Sequence, residues 1–187
     1  GIGGAIAAAP DLQSSIVTCG SPRHPKKWLA EAIQASVDVA GRGLPAVAID
    51  VLRDRPVPAG PVMAIAQEPD DTGYSALLAV GLAAVLGTSV QMLGPGLGHF
   101  HRLHDDAMQI AHQFADTRAV PLVMGSDPSP VDWLIQQSGE IPVAVTGVLH
   151  ATAGRRGKVA GARKDEGTRP ALRMLEDAEC DVTLVLD

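Results

Sequence analysis

Aromatic side chains are nearly missing from this 187-residue sequence: two Trp, two Phe and one Tyr make up 3% of it. A chain so poor in rings offers no stacking platform for nucleic-acid bases. Cationic surface is equally thin. The 15 Lys and Arg are outnumbered by 21 acidic residues, for a net charge of −6, and are scattered apart from a loose run at Arg155, Arg156, Lys158, Arg163 and Lys164. With no broad basic face to neutralise a phosphate backbone, nucleic acid is not expected as a partner. The two cysteines, Cys19 and Cys180, lie far apart and make no disulfide framework, which fits a reducing cytoplasm. The apolar opening GIGGAIAAAP is too short to span a bilayer and has no basic leader. Residues 1–14 therefore read as a frayed or linking segment, and no membrane partner is expected. Neither HExxH nor a paired CxxC is present to close a structural zinc site.

What remains is a chain 46% hydrophobic, rich in Ala and Gly, long enough for one compact domain with a core. Val- and Ile-rich runs alternate with segments of helical period, the pattern of an α/β protein with a parallel β-sheet flanked by helices on both faces, three layers in all. Strands are expected at 15–19, 45–51, 61–67, 89–93, 119–124, 142–148 and 181–186. Helices are expected at 25–40, 72–86, 104–115, 129–138 and 168–178. In the helix over 72–86, Tyr74, Leu77, Leu78, Leu82, Val85 and Leu86 recur at three- and four-residue steps, and Gly87 follows as a C-cap. The strand ends run into turns at CGSPRHP, QEPDD, LGPG and MGSDPSP. In a parallel sheet these turns share the carboxyl edge, where ligands bind.

The stretch LGPGLGHFHRLHDD joins such a strand end to a helix. Gly96 and Gly98 let backbone approach a ligand, while Asp105 and Asp106 suit the helix N-terminus as caps. Imidazole is a common metal ligand and carries a proton near neutrality, so one or two of His99, His101 and His104 are candidates for chemistry. Alternation along the chain points them different ways. At VTCGSPRHP, Cys19 is either an inert thiol or a soft metal ligand, and Ser21 a cap for the helix beginning near Pro25. In MGSDPSPVDW, Ser129 reads as N-cap, Pro130 as the first helical residue and Trp133 as a buried helix residue. In GRRGKVAGARKDEGT, Gly154, Gly157, Gly167 and Thr168 follow the spacing G-x2-G-x9-G-T, a backbone cradle for phosphates or a solvated basic loop.

Taken in order, VTCGSP, AIAQEPDD, LGPGLGHFHRLHDD and VPLVMGSDPSPVDWL resemble the turns of the sirohydrochlorin cobalt- or ferrochelatase family, over about residues 15–138. The resemblance implies a cytoplasmic lyase of cobalamin or siroheme biosynthesis that takes a small-molecule tetrapyrrole and a divalent metal (Co, Fe or Ni) as substrates. His99 and His101 would be catalytic, His99 and Cys19 would hold the metal, and Gly20, Ser21, Gly96, Gly98 and Gly125 would bind the tetrapyrrole. Cys19 stands where the family has a histidine, and His101 or His24 would have to substitute. On this reading 15–139 is the chelatase-like domain and 140–187 an extension or the start of a further unit. Homodimerisation and fusion to a further domain both stay open. From Pro61 onward the chain also resembles the universal stress protein fold, in PVMAIAQEPDDTGYSALLAVGLAAVLGTSVQML, GSDPSP and ECDVTLVLD. That resemblance implies an ATP-binding module without catalysis, with Gly154, Gly157, Gly167 and Thr168 as its nucleotide signature. Residues 142–187 faintly resemble the opening of a molybdopterin nucleotidyltransferase.

Overall fold

The computed structural model describes residues 1–11, 16–40, 42, 46–65, 74–94, 105–148 and 168–186, the side chains of 105–108 excepted. The strands are β1 Ile16–Gly20, β2 Val47–Leu52, β3 Val62–Ile65, β4 Val90–Gly94, β5 Leu122–Ser126, β6 Val143–Val148 and β7 Asp181–Leu186. The helices are α1 Ile2–Ala8, α2 Pro25–Ala40, α3 Tyr74–Leu86, α4 Asp105–Arg118, α5 Pro130–Gln137 and α6 Arg169–Asp177. The strands form one seven-stranded sheet in the order β1-β2-β7-β6-β3-β4-β5. Every pairing is parallel except β2 with β7. The architecture is the expected three-layer α/β one, with a correction: the sheet is mostly parallel, and β1 and β2 run against the other strands. Strands buried on both faces read as the same apolar runs whichever way their neighbours point, so the pattern carries no direction.

The two sheet faces hold separate cores. On one, Val47, Ile49 and Val51 of β2 and Val182, Leu184 and Leu186 of β7 pack with buried residues of α1, α2, α5 and α6. On the other, Val62, Ala64, Val90, Met92, Val143 and Val145 pack under α3 and α4. The side of α3 turned inward is not its leucine stripe. Ser75, Ala76, Ala79, Val80 and Ala83 are buried, whereas Tyr74, Val85 and Leu86 are 40%, 84% and 48% exposed. Small residues let the helix axis approach the sheet closely, and close packing outweighs side-chain size in choosing the inner face. Gly87 ends the helix at φ +67 as expected, with the Thr88 N–H donating to the Ala83 carbonyl.

Residues 1–14 are not simply a linker: they include α1, whose Ile2 and Ile6 are buried in the first core. Nor does the sheet break at 139–140. β6 pairs with both β3 and β7, so residues 143–186 supply its centre.

The chain passes from β2 to β3 through residues 53–61, along the edge where β6 and β7 begin. Two arginines fasten this crossing. The Arg53 guanidinium donates to the carbonyls of Met174, Leu175 and Cys180 and to Ser21 Oγ, while its backbone N–H donates to Asp181 Oδ1. Arg55 donates to the carbonyls of Ser138, Gly139 and Ile141. The last carbonyls of a helix lack intrahelical partners and carry negative potential, so these cations cap the ends of α6 and α5. Gly60 follows against the segment just before β6, where an added Cβ would collide with the Glu140 carbonyl oxygen. No described helix is long and apolar enough to cross a membrane.

Candidate functional site

Strand direction divides the candidate residues between two sheet edges. β3 to β7 end at one edge and β1 and β2 at the other. At the first edge β3 and β6 are neighbours, with Met63, Ala64 and Ile65 opposite Ala144, Val145 and Thr146. From β3 the chain continues to β4 and β5 on one side, then returns to β6 and β7 on the other. The ends of β3 and β6 therefore flank the topological switch point, the place where open α/β sheets usually bind ligands.

Residues 66–73 leave from the end of β3, and residues 149–167 connect the end of β6 to Thr168, the N-cap of α6. Because β7 runs parallel to β6, α6 must start near this edge and finish near the other. Its first turn has no acidic residue, its N-cap side chain makes no capping hydrogen bond, and exposed Arg169 is its first residue. The positive end of the helix dipole is thus reinforced by charge, the reverse of the stabilising arrangement for an isolated helix and a suitable one for an anion. Gly154, Gly157 and Gly167 lie outside the described residues, and so do Gly96, Gly98, His99 and His101.

The turn after β1 opens at the opposite edge. The expectation that it shares one cleft with the turn after β4 is corrected: β2, β7, β6 and β3 lie between those strands, about 24 Å at the usual strand spacing, and the two run in opposite directions. Gly20 and Ser21 are exposed there. Ser21 does not cap α2; its Oγ accepts from Arg53 and donates to the Leu52 carbonyl at 3.4 Å. Cys19 is half-buried against the first core, and burial, with a lesser contribution from the Asp50 carboxylate, raises its thiol pKa. A thiol held protonated is a poor nucleophile and metal ligand. Among the described residues no group of three or more His, Cys, Asp or Glu is placed to hold a metal ion.

Gly125 lies in β5 at the first edge, opposite Leu93, whose Cδ2 would stand 3.0 Å from an added Cβ. Close packing of neighbouring strands accounts for the glycine. Beyond it, the Asp127 N–H donates to the Gly94 carbonyl, tying the ends of β4 and β5, and Asp127 Oδ1 accepts from the Ser129 N–H. Ser129 is the N-cap of α5 with Pro130 in its first turn, as read from the sequence, but Asp127 supplies the side-chain bond. Trp133 is partly buried against the first core. The residues that sequence reasoning missed are Arg53 and Arg55, together with the cross-strand pair in which Thr183 Oγ1 donates to Asp50 Oδ1 at 2.8 Å. The charged pair in RDRP, directly after an apolar strand, was the available signal.

No protein-family model matches the chain, and no curated protein does. Solved structures match in fold. The functionally unknown protein PA1789 from Pseudomonas aeruginosa PAO1 has a TM-score of 0.54 at 14% identity, covering 98% of this chain and 66% of that one. A universal stress protein from Archaeoglobus fulgidus DSM 4304 has a TM-score of 0.53 at 10% identity, covering 96% of this chain and 62% of that one. This chain thus spans less than two thirds of either protein's length. A universal stress protein in complex with cAMP matches at a TM-score of 0.39 and 13% identity, over 66% of this chain and 95% of that one, too distant to bear on the present site. The three-layer fold is one that universal stress proteins share. The chelatase resemblance is corrected: the fold matches are universal stress proteins and an uncharacterised protein, and nothing found supports a tetrapyrrole, cobalt or lyase role.

Proposed function

We propose that the chain is an adenine-nucleotide-binding module of the universal stress type, without catalysis. The observation that carries the reading is the strand order: β3 and β6 flank the switch point, and the segment with Gly154, Gly157 and Gly167 runs from the end of β6 to Thr168 at the start of α6. The switch point of an open α/β sheet is a usual place for a flat base to bind. Glycine-spaced backbone N–H groups and a helix N-terminus suit the phosphates, which need donors that approach closely without a Cβ in the way. Arg169 and the basic residues between 155 and 164 would add charge on the phosphate side. The shared three-layer fold supports the universal-stress reading, with each site residue remaining part of the proposal.

Calorimetric titration with ATP tests it. Saturable binding by the native chain is expected, weakened at least about tenfold in Gly157→Asp, where a carboxylate would face the phosphates. No saturable binding by the native chain sinks the proposal. Release of ADP or phosphate in proportion to protein overturns its non-catalytic part.

A further inference from the structure

β2 and β3 are consecutive in the chain, yet β7 and β6, which come later, lie between them in the sheet. Residues 53–61 therefore bridge three strand spacings, about 14 Å. At full extension they reach about 30 Å, slack enough for β2 and β3 to stand apart while a strand–helix–strand unit enters between them. In the folded chain that slack is taken up where the unit begins. Arg53 meets Asp181, Cys180, Met174 and Leu175 at the start of β7, and Arg55 meets Ser138, Gly139 and Ile141 just before β6. At the far end of the strap the Gly60 carbonyl accepts from Thr88 Oγ1 at 2.7 Å, and the Gly60 Cα lies too close to the Glu140 carbonyl oxygen for any Cβ.

Sequence distance puts these contacts in order. The partners of Arg53 on the C-terminal unit are 121–128 residues away and those of Arg55 are 83–86 residues away. Closing so long a loop costs conformational entropy before any contact contributes. β6 and β7 offset that cost by burial, with Val145, Val182 and Leu184 each 0% exposed. The two arginines instead make directional bonds to carbonyls that stand together only after α5 and α6 have formed and both strands are seated. We propose that residues 53–61 are a latch: the strap closes over the starts of β6 and β7 after the rate-limiting step of folding, and its arginine bonds retain the unit in the sheet by slowing its exit. Bonds that are absent at the folding barrier act on the unfolding rate and leave the folding rate alone.

Stopped-flow unfolding and refolding of the 187-residue chain over a range of denaturant tests the proposal. Arg53→Ala should raise the unfolding rate about thirtyfold or more while the refolding rate stays nearly the same. Should Arg53→Ala not fold, Arg55→Gln, which keeps an amide donor for the carbonyls before β6, should show the same one-sided change at about three- to tenfold. A refolding rate that falls by as large a factor as the unfolding rate rises, or by a larger one, overturns the proposal, because the bonds would then already exist at the barrier. An unfolding rate unchanged in the variants overturns it as well.

Discussion

Residues 16–52 and 143–186 make two strand–helix–strand units of the same build, set against each other across one antiparallel junction. They differ in what joins the first strand to the helix. In one, residues 21–24 suffice to reach α2; in the other, residues 149–168 intervene before α6. Short turns satisfy their own backbone and leave no room for a ligand, while a long glycine-rich segment over the carboxyl ends of strands is where binding loops are found. The framework is therefore shared, and the proposed site depends on what has been inserted into it. The Cys-Gly-Ser turn that looked chemical in the sequence belongs to the half with the short connection, at the edge away from the switch point.

Breaking the tie between the halves should have the largest effect. Arg53→Ala removes guanidinium bonds to three backbone carbonyls and to Ser21, together with the cation at the end of α6. A loss of about 2–4 kcal/mol is expected in denaturant unfolding, since hydrogen bonds to charged groups are the stronger kind. A change below about 0.5 kcal/mol would show that the crossing is held by its backbone alone.

The two cysteines sharpen the comparison, one in each half. Burial pushes the Cys180 thiol from 9.0 up to about 11, and burial also raises that of Cys19, which is only partly buried. The folded chain holds these protons more tightly than the unfolded chain. The linked stability is therefore fully present below pH 9.0 and is lost as the pH rises through about 11. For Cys180 the loss should be about 2–3 kcal/mol across that window. Cys180→Ala should flatten the alkaline decline measured by urea unfolding, and Cys19→Ala should change it less. An unchanged slope in Cys180→Ala would contradict the assignment.

The smallest effect lies outside both halves. Ala119 follows α4 at φ 53, with the Val120 N–H donating to the Ala115 carbonyl, the position that favours glycine. Ala119→Gly should stabilise the chain by about 0.5–1 kcal/mol. A destabilisation in thermal melts would place the strain elsewhere.

Much of the fold was legible because each strand and helix longer than one turn or two has its own local pattern. The spans from β1 to β7 and from α2 to α6 fall within a few residues of those expected. Three features were not legible, each for a physical reason. The reversal of β1 and β2 depends on which strand meets β7, and Val47–Val51 would bury equally well beside a parallel neighbour. The helix α1 lies in a Gly- and Ala-rich stretch and depends on burial of Ile2 and Ile6. In α3 an apolar sequence on all sides left the inner face to be chosen by how closely Ala76, Ala79 and Ala83 approach the sheet. The error over strand direction carried through to the candidate site, since it brought Cys19 and the turn after β4 to a common edge. The spacing of Gly154, Gly157, Gly167 and Thr168 is read without any topology, and its role as a nucleotide cradle belongs to the proposed function, since the three glycines lie outside the described residues.

The decisive measurement makes the two halves alike. Residues 149–167 would be replaced by a turn as short as residues 21–24, and the variant compared with the native chain by ATP calorimetry and thermal melting. The account predicts a folded protein that has lost ATP binding, because the framework stands on its strands and helices while the ligand contacts go with the insert. A folded variant that binds ATP as the native chain does would contradict it.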